Sequence, residues 1–580
     1  MRTFRLWAPR SSRVELVAGG RIAPMTRRDR GWWEIERTPA EPGTRYGFSL
    51  DGGDVRPDPR SLSQPDGVLG LSEVVDHDDH AWPDAAWRGL QLSGSVIYEL
   101  HVGTFSPEGT FDGVIERLPH LVQLGVDAIE LMPVAEFAGE RGWGYDGVDL
   151  FAPHHAYGGP AALKRLVGAC HSAGLGVVLD VVYNHLGPVG NFLADFGPYF
   201  SERHKTGWGA GLNFDGPGSD DVRRFVVDNA LMWIRDYHFD GLRLDAVHAM
   251  IDSSPVNILE QLAVEVEAAG EELHRTTFLI AETDLNDPRI VRSRDAGGYG
   301  LAAAWSDDWH HALHAALTGE VSGYYSDFGS LELLGKALKQ AWVFDGMWSA
   351  HRQRTRGRKA SGLPSHSFVI AAQNHDQVGN RAAGDRLCAL VDEGKLKAAA
   401  ALMLTAPFTP MLFQGEEWAA SSPFQFFTDF ADRELGDAVR KGRRREFEAF
   451  GWNPDAVPDP QAAATFERSK LDWNEIEEPS HRAMLDWYRN LISLRRRLPA
   501  PRHPVAEGVR VEIDDALRRI VFEREGVSVR VNLGDQDWEF RTPQELTLLM
   551  ASHPTTDPAG DTVRLAPSSV VIFEGPGAVG

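Results

Sequence analysis

Hydrophobic positions along the 580-residue chain change their period twice. Over the first ninety or so residues, polar and apolar positions alternate in "TFRLWAP", "RVELVAG", "GWWEIER" and "RYGFSLD", separated by Gly, Pro and Asp. A period of two in short, evenly spaced runs predicts strands of a small β-sandwich. From "SVIYELHVG" onward the rhythm differs: apolar runs alternate with stretches whose apolar residues recur at three and four spacing. The runs "VIYEL", "AIELMPV", "GVVLDVVYN", "GLRLDAV", "TFLIAE", "LAAAWSD", "SFVIAAQNHD" and "TPMLFQGEE" are read as eight buried strands. Between them "GVIERLPHLVQLG", "GPAALKRLVGACHSAG", "SDDVRRFVVDNALMWIRDY" and "SPVNILEQLAVEVEAAG" read as amphipathic helices. Eight strands alternating with helices over roughly 400 residues predict an α/β fold, a (β/α)8 TIM barrel with insertions. Beyond about residue 500, "GVRVEI", "RRIVFER", "VSVRVNL", "ELTLLM", "DTVRL" and "SSVVIFE" return to period two, which predicts a second sandwich.

The expected organisation is therefore an immunoglobulin-like β-sandwich over residues 1–90, a catalytic barrel over 91–497 and a C-terminal β-sandwich over 498–580. "DHDDHAWPDAAWRG", ending at Gly89, reads as a linker.

An apolar fraction of 43% supports folded domains, and a chain of this length is too long for one core. The net charge of −24 argues against a nucleic-acid or anionic-membrane partner, since both would repel it. The basic runs "HRQRTRGRK", "RKGRRRE" and "LRRRL" are read as solvated faces. Cys170 and Cys388 are too few for a disulfide framework and lack metal-ligand spacing. The amino terminus has no apolar core of a signal peptide, and no apolar run reaches the ~18 residues of a membrane span. The expected protein is cytoplasmic, a monomer or simple homo-oligomer.

Chemistry enters at "FDGLRLDAVHAM", Phe239 to Met250. A buried strand finishes on Asp245 beside Arg243, although an unpaired carboxylate is costly to desolvate. Either Arg243 neutralises it as a structural pair, or the strand end presents it for reaction. In a barrel the carboxyl ends of the strands share one basin. Asp180, Asn184 and His185 fall at such an end on the third strand, Glu282 on the fifth, and His375 and Asp376 on the seventh. Carboxylates ending strands four, five and seven are hard to explain structurally. Acetal cleavage needs a proton for the leaving oxygen and stabilisation of an oxocarbenium-like carbon, which two carboxyl groups supply. At ~5–5.5 Å apart, one attacks the sugar covalently and configuration is retained.

In this order along a barrel, "DVVYNH", "GLRLDAVH", "IAETD" and "QNHDQVGN" resemble the four signature regions of the alpha-amylase family of retaining α-glucosidases and α-glucanotransferases. The resemblance implies that Asp245 is the nucleophile, Glu282 the general acid/base and Asp376 the third carboxylate, gripping two sugar hydroxyls. It implies that Arg243 keeps Asp245 ionised, that His185 and His375 bond sugar hydroxyls, and that Tyr145 in "GWGYDG" is the aromatic platform beneath the ring. Trp208, Trp143, Phe426 and Phe427 fall in predicted loops where sugars could stack. The stretches "FRLWAP", "PVAEFAGERGWGYDGVDLFAPHHAYGGP", "WSDDWHHALHAALTGE" and "PFQFFTDF" are similar to members of this family that release trehalose from maltooligosyltrehalose. The implied partners are maltooligosyltrehalose and related α-glucans. A glycogen-branching or debranching enzyme, or an inactive α-glucan-binding barrel, are the alternatives. No cofactor is expected. His310, His311 and His314 lack the companions of a metal site, and no acidic calcium cage surrounds Asn184, so no metal is expected.

Overall fold

Eight short parallel strands close on themselves as the core of the chain. They are β1 (Ile97–Leu100), β2 (Ala128–Leu131), β3 (Gly176–Val181), β4 (Gly241–Leu244), β5 (Phe278–Ala281), β6 (Ala303–Trp305), β7 (Phe368–Ala371) and β8 (Thr409–Phe413). The circle closes where β8 pairs with β1, Met411 beside Ile97. All eight coincide with the expected runs. A computed structural model describes residues 2–38, 40–448, 457–498, 504–541, 546–554 and 562–575. Residues 545 and 561, which open two of the expected C-terminal strands, lie outside these.

Alternation along each barrel strand sorts the interior into two levels. At the lower level Ile97, Ala128, Val178, Phe278, Ile280 and Met411 form an apolar plug. Two residues further along β1, β2 and β3, the same inward face carries Glu99, Glu130 and Asp180, with Arg243 opposite Asp180 in the β3–β4 register. The barrel is thus dry below and ionisable above, at the strand ends where the loops begin.

Helices wrap this barrel: α1 (Phe111–Leu124), α2 (Gly159–Ser172), α3 (Ser219–Arg235), α4 (Ile258–Leu273), α5 (Asp307–Thr318), α6 (Leu331–Gln340), α7 (Glu393–Thr405), α8 (Arg433–Glu448) and α9 (Pro479–Arg497). Their ends follow local chemistry. The Thr110 hydroxyl accepts the Gly113 N–H at 3.1 Å to start α1, and Gly125, at φ 95°, ends it. Asn257 and Asp392 cap α4 and α7 in the same way, at 2.9 Å each.

Before the barrel, a three-stranded sheet (2–7, 26–27, 32–38) faces a larger antiparallel one built on 14–18, 21–24, 45–50 and 55–56. Leu6, Val14, Leu16 and Phe48 are buried between them. This sandwich docks on α3, where Trp32 Nε1 donates to Asp221 (3.0 Å) and Arg60 pairs with Asp228 (2.8 Å). After the barrel, a five-stranded antiparallel sheet and a two-stranded one form the C-terminal unit. It packs on α6 and α7; Asp515 accepts the Leu331 N–H at 2.9 Å.

Two expectations change. "DHDDHAWPDAAWRG" is a strap packed on the barrel wall. Within it Asp84 is buried and receives His171 (2.7 Å), His238 (2.9 Å) and Arg275 (3.1 Å), while Trp87 stacks on His171 and donates to Asp240 (2.6 Å). Nor are all the basic runs solvated. Arg495 is buried and donates to the carbonyls of Leu404 (3.1 Å) and Ala406 (2.8 Å), satisfying the open end of α7. Arg356 is buried against Asp308 at 3.4 Å. Among the described residues no helix is long and apolar enough to cross a membrane.

Candidate active site

Arg243 organises the floor of the basin. Its side chain is fully buried, and Nη1 donates to both oxygens of Asp180 at 2.8 Å and to Asp245 Oδ1 at 2.8 Å. The Trp305 ring lies 4.2 Å from the guanidinium carbon. The remaining oxygen of Asp245 accepts the Asn184 amide at 2.7 Å. Both oxygens of Asp245 are thus held by donors, which fixes the carboxyl group in place. Burial pushes Asp180 up to about 6 even against Arg243.

Glu282 lies on the other side of the same guanidinium, Oε2 3.9 Å from Arg243 Nη2. Its environment has the opposite effect. Burial pushes its carboxyl well above the ordinary range; Arg243 opposes this, while Asp245, Asp307 and Asp376 add to it. Burial thus keeps a proton on Glu282, as a general acid requires, while Asp245 stays bonded to the cation between them.

The third carboxylate arrives from the far side. Asp376 sits in the short helix His375–Gly379, capped by Asn374, whose amide oxygen accepts the Asp376 N–H at 3.0 Å. Its side chain is 45% exposed, facing the basin, and accepts the Asn380 amide at 3.2 Å. Asn380 in turn accepts Arg443 of α8 at 2.9 Å. Neighbouring His375 is buried, and its Nδ1 donates to Glu99 Oε1 at 2.5 Å. Burial depresses the imidazole, but Glu99 and Asp376 outweigh it and raise it to about 9. As an imidazolium it donates from Nε2 to the Tyr145 hydroxyl (2.7 Å), which donates to Asp180 (2.6 Å). The Tyr145 ring stacks on His375 with centroids 5.2 Å apart.

At the rim, Trp208 projects from the hairpin formed by Phe200–Thr206 and Gly209–Leu212, 56% exposed and stacked on His185 at 5.5 Å. His185 is bonded to Asn184, so this aromatic pair connects to Asp245 through one side chain. Other expected contacts fall elsewhere. Trp143 and Phe427 are buried, Trp143 donating to the Gln425 carbonyl at 3.0 Å; only Phe426 of that group is partly open. His310 bonds the Ala372 carbonyl (2.8 Å) and His314 bonds Glu320 (2.8 Å), as members of the packed face of α5.

Several functional neighbours escape the sequence reading. Glu99 is hidden in "VIYEL", which reads only as a buried strand. Asp307, at the start of α5, is pushed up to about 7 by burial and by Asp284, Asp376 and Asp308. Glu130 is buried with neither carboxyl oxygen hydrogen-bonded among the described residues, and burial, then Glu99 and Asp180, hold it well above the ordinary range. Each lies inside an otherwise apolar strand or opens a helix directly after one, a pattern that a single acid in a buried run shares with ordinary exceptions.

Residues 63–202 match the family described as alpha amylase, catalytic domain, and residues 504–572 match a domain of unknown function, DUF3459. The malto-oligosyltrehalose trehalohydrolase of Arthrobacter ramosus is 53% identical over 92% of this chain and 93% of its own. That of Rhizobium sp. strain M-11 is 49% identical over 98% and 97%. A crystal structure from Salmonella typhimurium, assigned as an alpha amylase, superposes with a TM-score of 0.90 at 38% identity, covering 99% of this chain and 97% of that one. The chain belongs to the malto-oligosyltrehalose trehalohydrolase family of alpha-amylase-type glycoside hydrolases.

Proposed function

We propose that this chain hydrolyses the α-1,4-glucosidic bond next to the terminal trehalose of maltooligosyltrehalose, releasing trehalose with retention at the cleaved carbon. The observation that carries the chemistry is the shared guanidinium: Arg243 bonds Asp245 at 2.8 Å and stands 3.9 Å from Glu282. Neutral Glu282 gives its proton to the glycosidic oxygen while Asp245 attacks the anomeric carbon. The carbon–oxygen bond breaks, the trehalose end leaves as an alcohol, and a glycosyl ester on Asp245 remains. Glu282, now a carboxylate, takes a proton from water, which attacks the same carbon and frees Asp245. Asp376 holds hydroxyls of the sugar in the distorted ring, His185 and His375 bond others, and Tyr145 and Trp208 supply ring surfaces.

The full-length similarity to trehalohydrolases supports this substrate over the plain α-glucan of a branching or debranching enzyme. We place the domain boundaries near residues 90 and 497, with all three carboxylates in the barrel. We infer a cytoplasmic carbohydrate enzyme, monomeric or a simple homo-oligomer; the net charge of −24 supports the absence of a nucleic-acid or anionic-membrane partner.

The test is product analysis on maltooligosyltrehalose beside the matching plain maltooligosaccharide. Trehalose release much faster than cleavage of the plain chain is expected. Equal rates would remove the trehalose specificity while leaving the hydrolytic chemistry, and new α-1,6 branch points would assign a transferase.

A further inference from the structure

Away from the carboxylates, at the root of the loop that carries Trp143 and Tyr145, three ligand-bearing side chains meet. Glu136 belongs to the two-residue strand that pairs with Asp149–Pro153, and His154 and His155 follow that partner strand directly. The Glu136 and His154 side chains are completely buried, while His155 is 23% exposed at the surface. Glu136 Oε1 lies 2.7 Å from His155 Nδ1, and Oε2 lies 3.3 Å from His154 Nδ1. One ligand atom from each residue falls within 4.8 Å of the other two.

We propose that Glu136, His154 and His155 form a binding site for a divalent transition-metal ion, Zn²⁺ by preference. A tetrahedral ion with bonds of ~2.0–2.1 Å places its ligand atoms about 3.3 Å apart, which is the separation of Glu136 Oε2 and His154 Nδ1; small side-chain shifts would bring in His155 Nδ1, within 4.8 Å of the others. Two imidazoles and one carboxylate with an open fourth position is a donor set that Zn²⁺ takes. His155 has the outer partner such a ligand needs: its Nε2 lies 3.1 Å from Glu140 Oε1, so the ring donates outward to a carboxylate and leaves Nδ1 for the ion.

The competing account is a plain ion pair between Glu136 and a protonated His155. It satisfies those two residues, Glu136 Oε2 also accepting the His155 backbone N–H at 2.8 Å, and leaves His154 with only a long 3.3 Å approach to that same oxygen. Neither ring nitrogen of this buried imidazole makes a hydrogen bond among the described residues. A buried polar nitrogen without a partner is costly. A metal ion gives Nδ1 of His154 a partner and accounts for its orientation toward Glu136. The ion would tie the hairpin at Glu136 to the turn at His155, fixing both ends of the segment that presents Tyr145. Its role is structural, because none of its ligands reaches the three carboxylates.

The experiment uses the untagged full chain, stripped with a chelator. Crystals grown with Zn²⁺ are measured at the zinc edge for anomalous scattering, and Tm is followed with Zn²⁺ and then with excess chelator. An anomalous peak within bonding distance of Glu136, His154 and His155 is expected. So is a Tm that rises with Zn²⁺, returns with chelator and does not respond in His155→Ala. A wild-type map without a peak there, or with peaks only at other histidines such as His310 and His314, overturns the proposal. So does an undiminished Zn²⁺ response in folded His155→Ala. The map is read on wild-type protein, so a variant that fails to fold does not remove the test.

Discussion

Glu282 Oε2 accepts the backbone N–H of Ala246 at 2.6 Å, so the acid ending β5 is bonded to the residue that immediately follows Asp245 on β4. Ala246 adopts φ 41° and ψ 52°, a left-handed conformation that costs an alanine ~1–2 kcal/mol. The turn aims that N–H across to the neighbouring strand. One oxygen of Glu282 is thereby occupied as an acceptor, and the proton that burial retains is placed on the other. Strain at a single alanine orients the acid relative to the nucleophile.

Removing either acid separates folding from turnover. Asp245→Asn and Glu282→Gln keep the shape and lose, respectively, the attacking carboxylate and the transferable proton. Each is expected to fold with a Tm close to wild type and to lose at least ~10³-fold in kcat on maltooligosyltrehalose. Freshly released reducing ends from wild-type enzyme should be the α-anomer by NMR; a β-anomer would reject the covalent route.

Glu130 predicts a stability effect with a definite sign. Its folded carboxyl holds a proton more tightly than the unfolded one, so native stability declines as pH rises above the unfolded carboxyl range. Glu130→Gln removes that proton linkage while keeping the shape. The variant should match wild type near pH 4 and exceed it in Tm by a margin that widens toward pH 8. Thermal melts across this range decide it, and a constant offset at every pH would show that Glu130 is not held neutral.

Arg443 acts on Asp376 through Asn380, by bonds of 2.9 and 3.2 Å. It also donates to the Gly379 carbonyl at 2.8 Å, clasping the end of the helix that carries Asp376. Loss of this clasp misplaces a carboxylate without deleting it, which can cost ~10–100-fold in rate. Arg443→Ala should therefore lower kcat in that range with a smaller change in KM. Steady-state kinetics showing a kcat within twofold of wild type would deny the relay a positioning role.

Trp208 is expected to act in binding. An exposed ring stacked on His185 offers a flat face to a sugar, worth about 1 kcal/mol, or about fivefold in KM. Trp208→Ala should raise KM by that factor at nearly unchanged kcat, and Trp208→Phe should restore most of it. A loss confined to kcat would place the ring in the chemistry.

The barrel was legible because its strands are continuous apolar runs, and the acids at their ends break those runs where buried strands rarely tolerate charge. Asp245, Glu282 and Asp376 announce themselves in this way. Glu99 does not, since a lone glutamate inside "VIYEL" looks like an ordinary exception, and its partner His375 lies 276 positions away. The strap at Asp84 reads as a linker for a similar reason. Its Asp, Pro and Gly content signals a loop, whereas its burial depends on His171, His238 and Arg275, which only folding brings together. Loop aromatics such as Trp143 and Phe427 share composition with sugar platforms and differ from them only in which way the loop turns.

Glu99 and His375 yield the sharpest pH test. The His375 imidazolium donates to Glu99 at 2.5 Å and to Tyr145 at 2.7 Å, so its proton links the barrel floor to the platform ring. Glu99 is the largest influence raising this histidine to about 9, against burial and Arg243, which lower it. A group whose folded value is raised contributes stability fully below its unfolded value near 6.5 and loses it as pH passes through about 9. In Glu99→Gln the carboxylate is gone, burial dominates, and His375 becomes neutral at pH 8. The variant should lose more stability relative to wild type at pH 6 than at pH 10. Its kcat/KM should fall ~10–100-fold at pH 8, the range for a misplaced catalytic contact, and recover in part toward pH 6 as the imidazole regains its proton. Wild type should show no such dependence between pH 6 and 8. Parallel pH profiles for the two proteins would mean that the charge on His375 does not depend on Glu99.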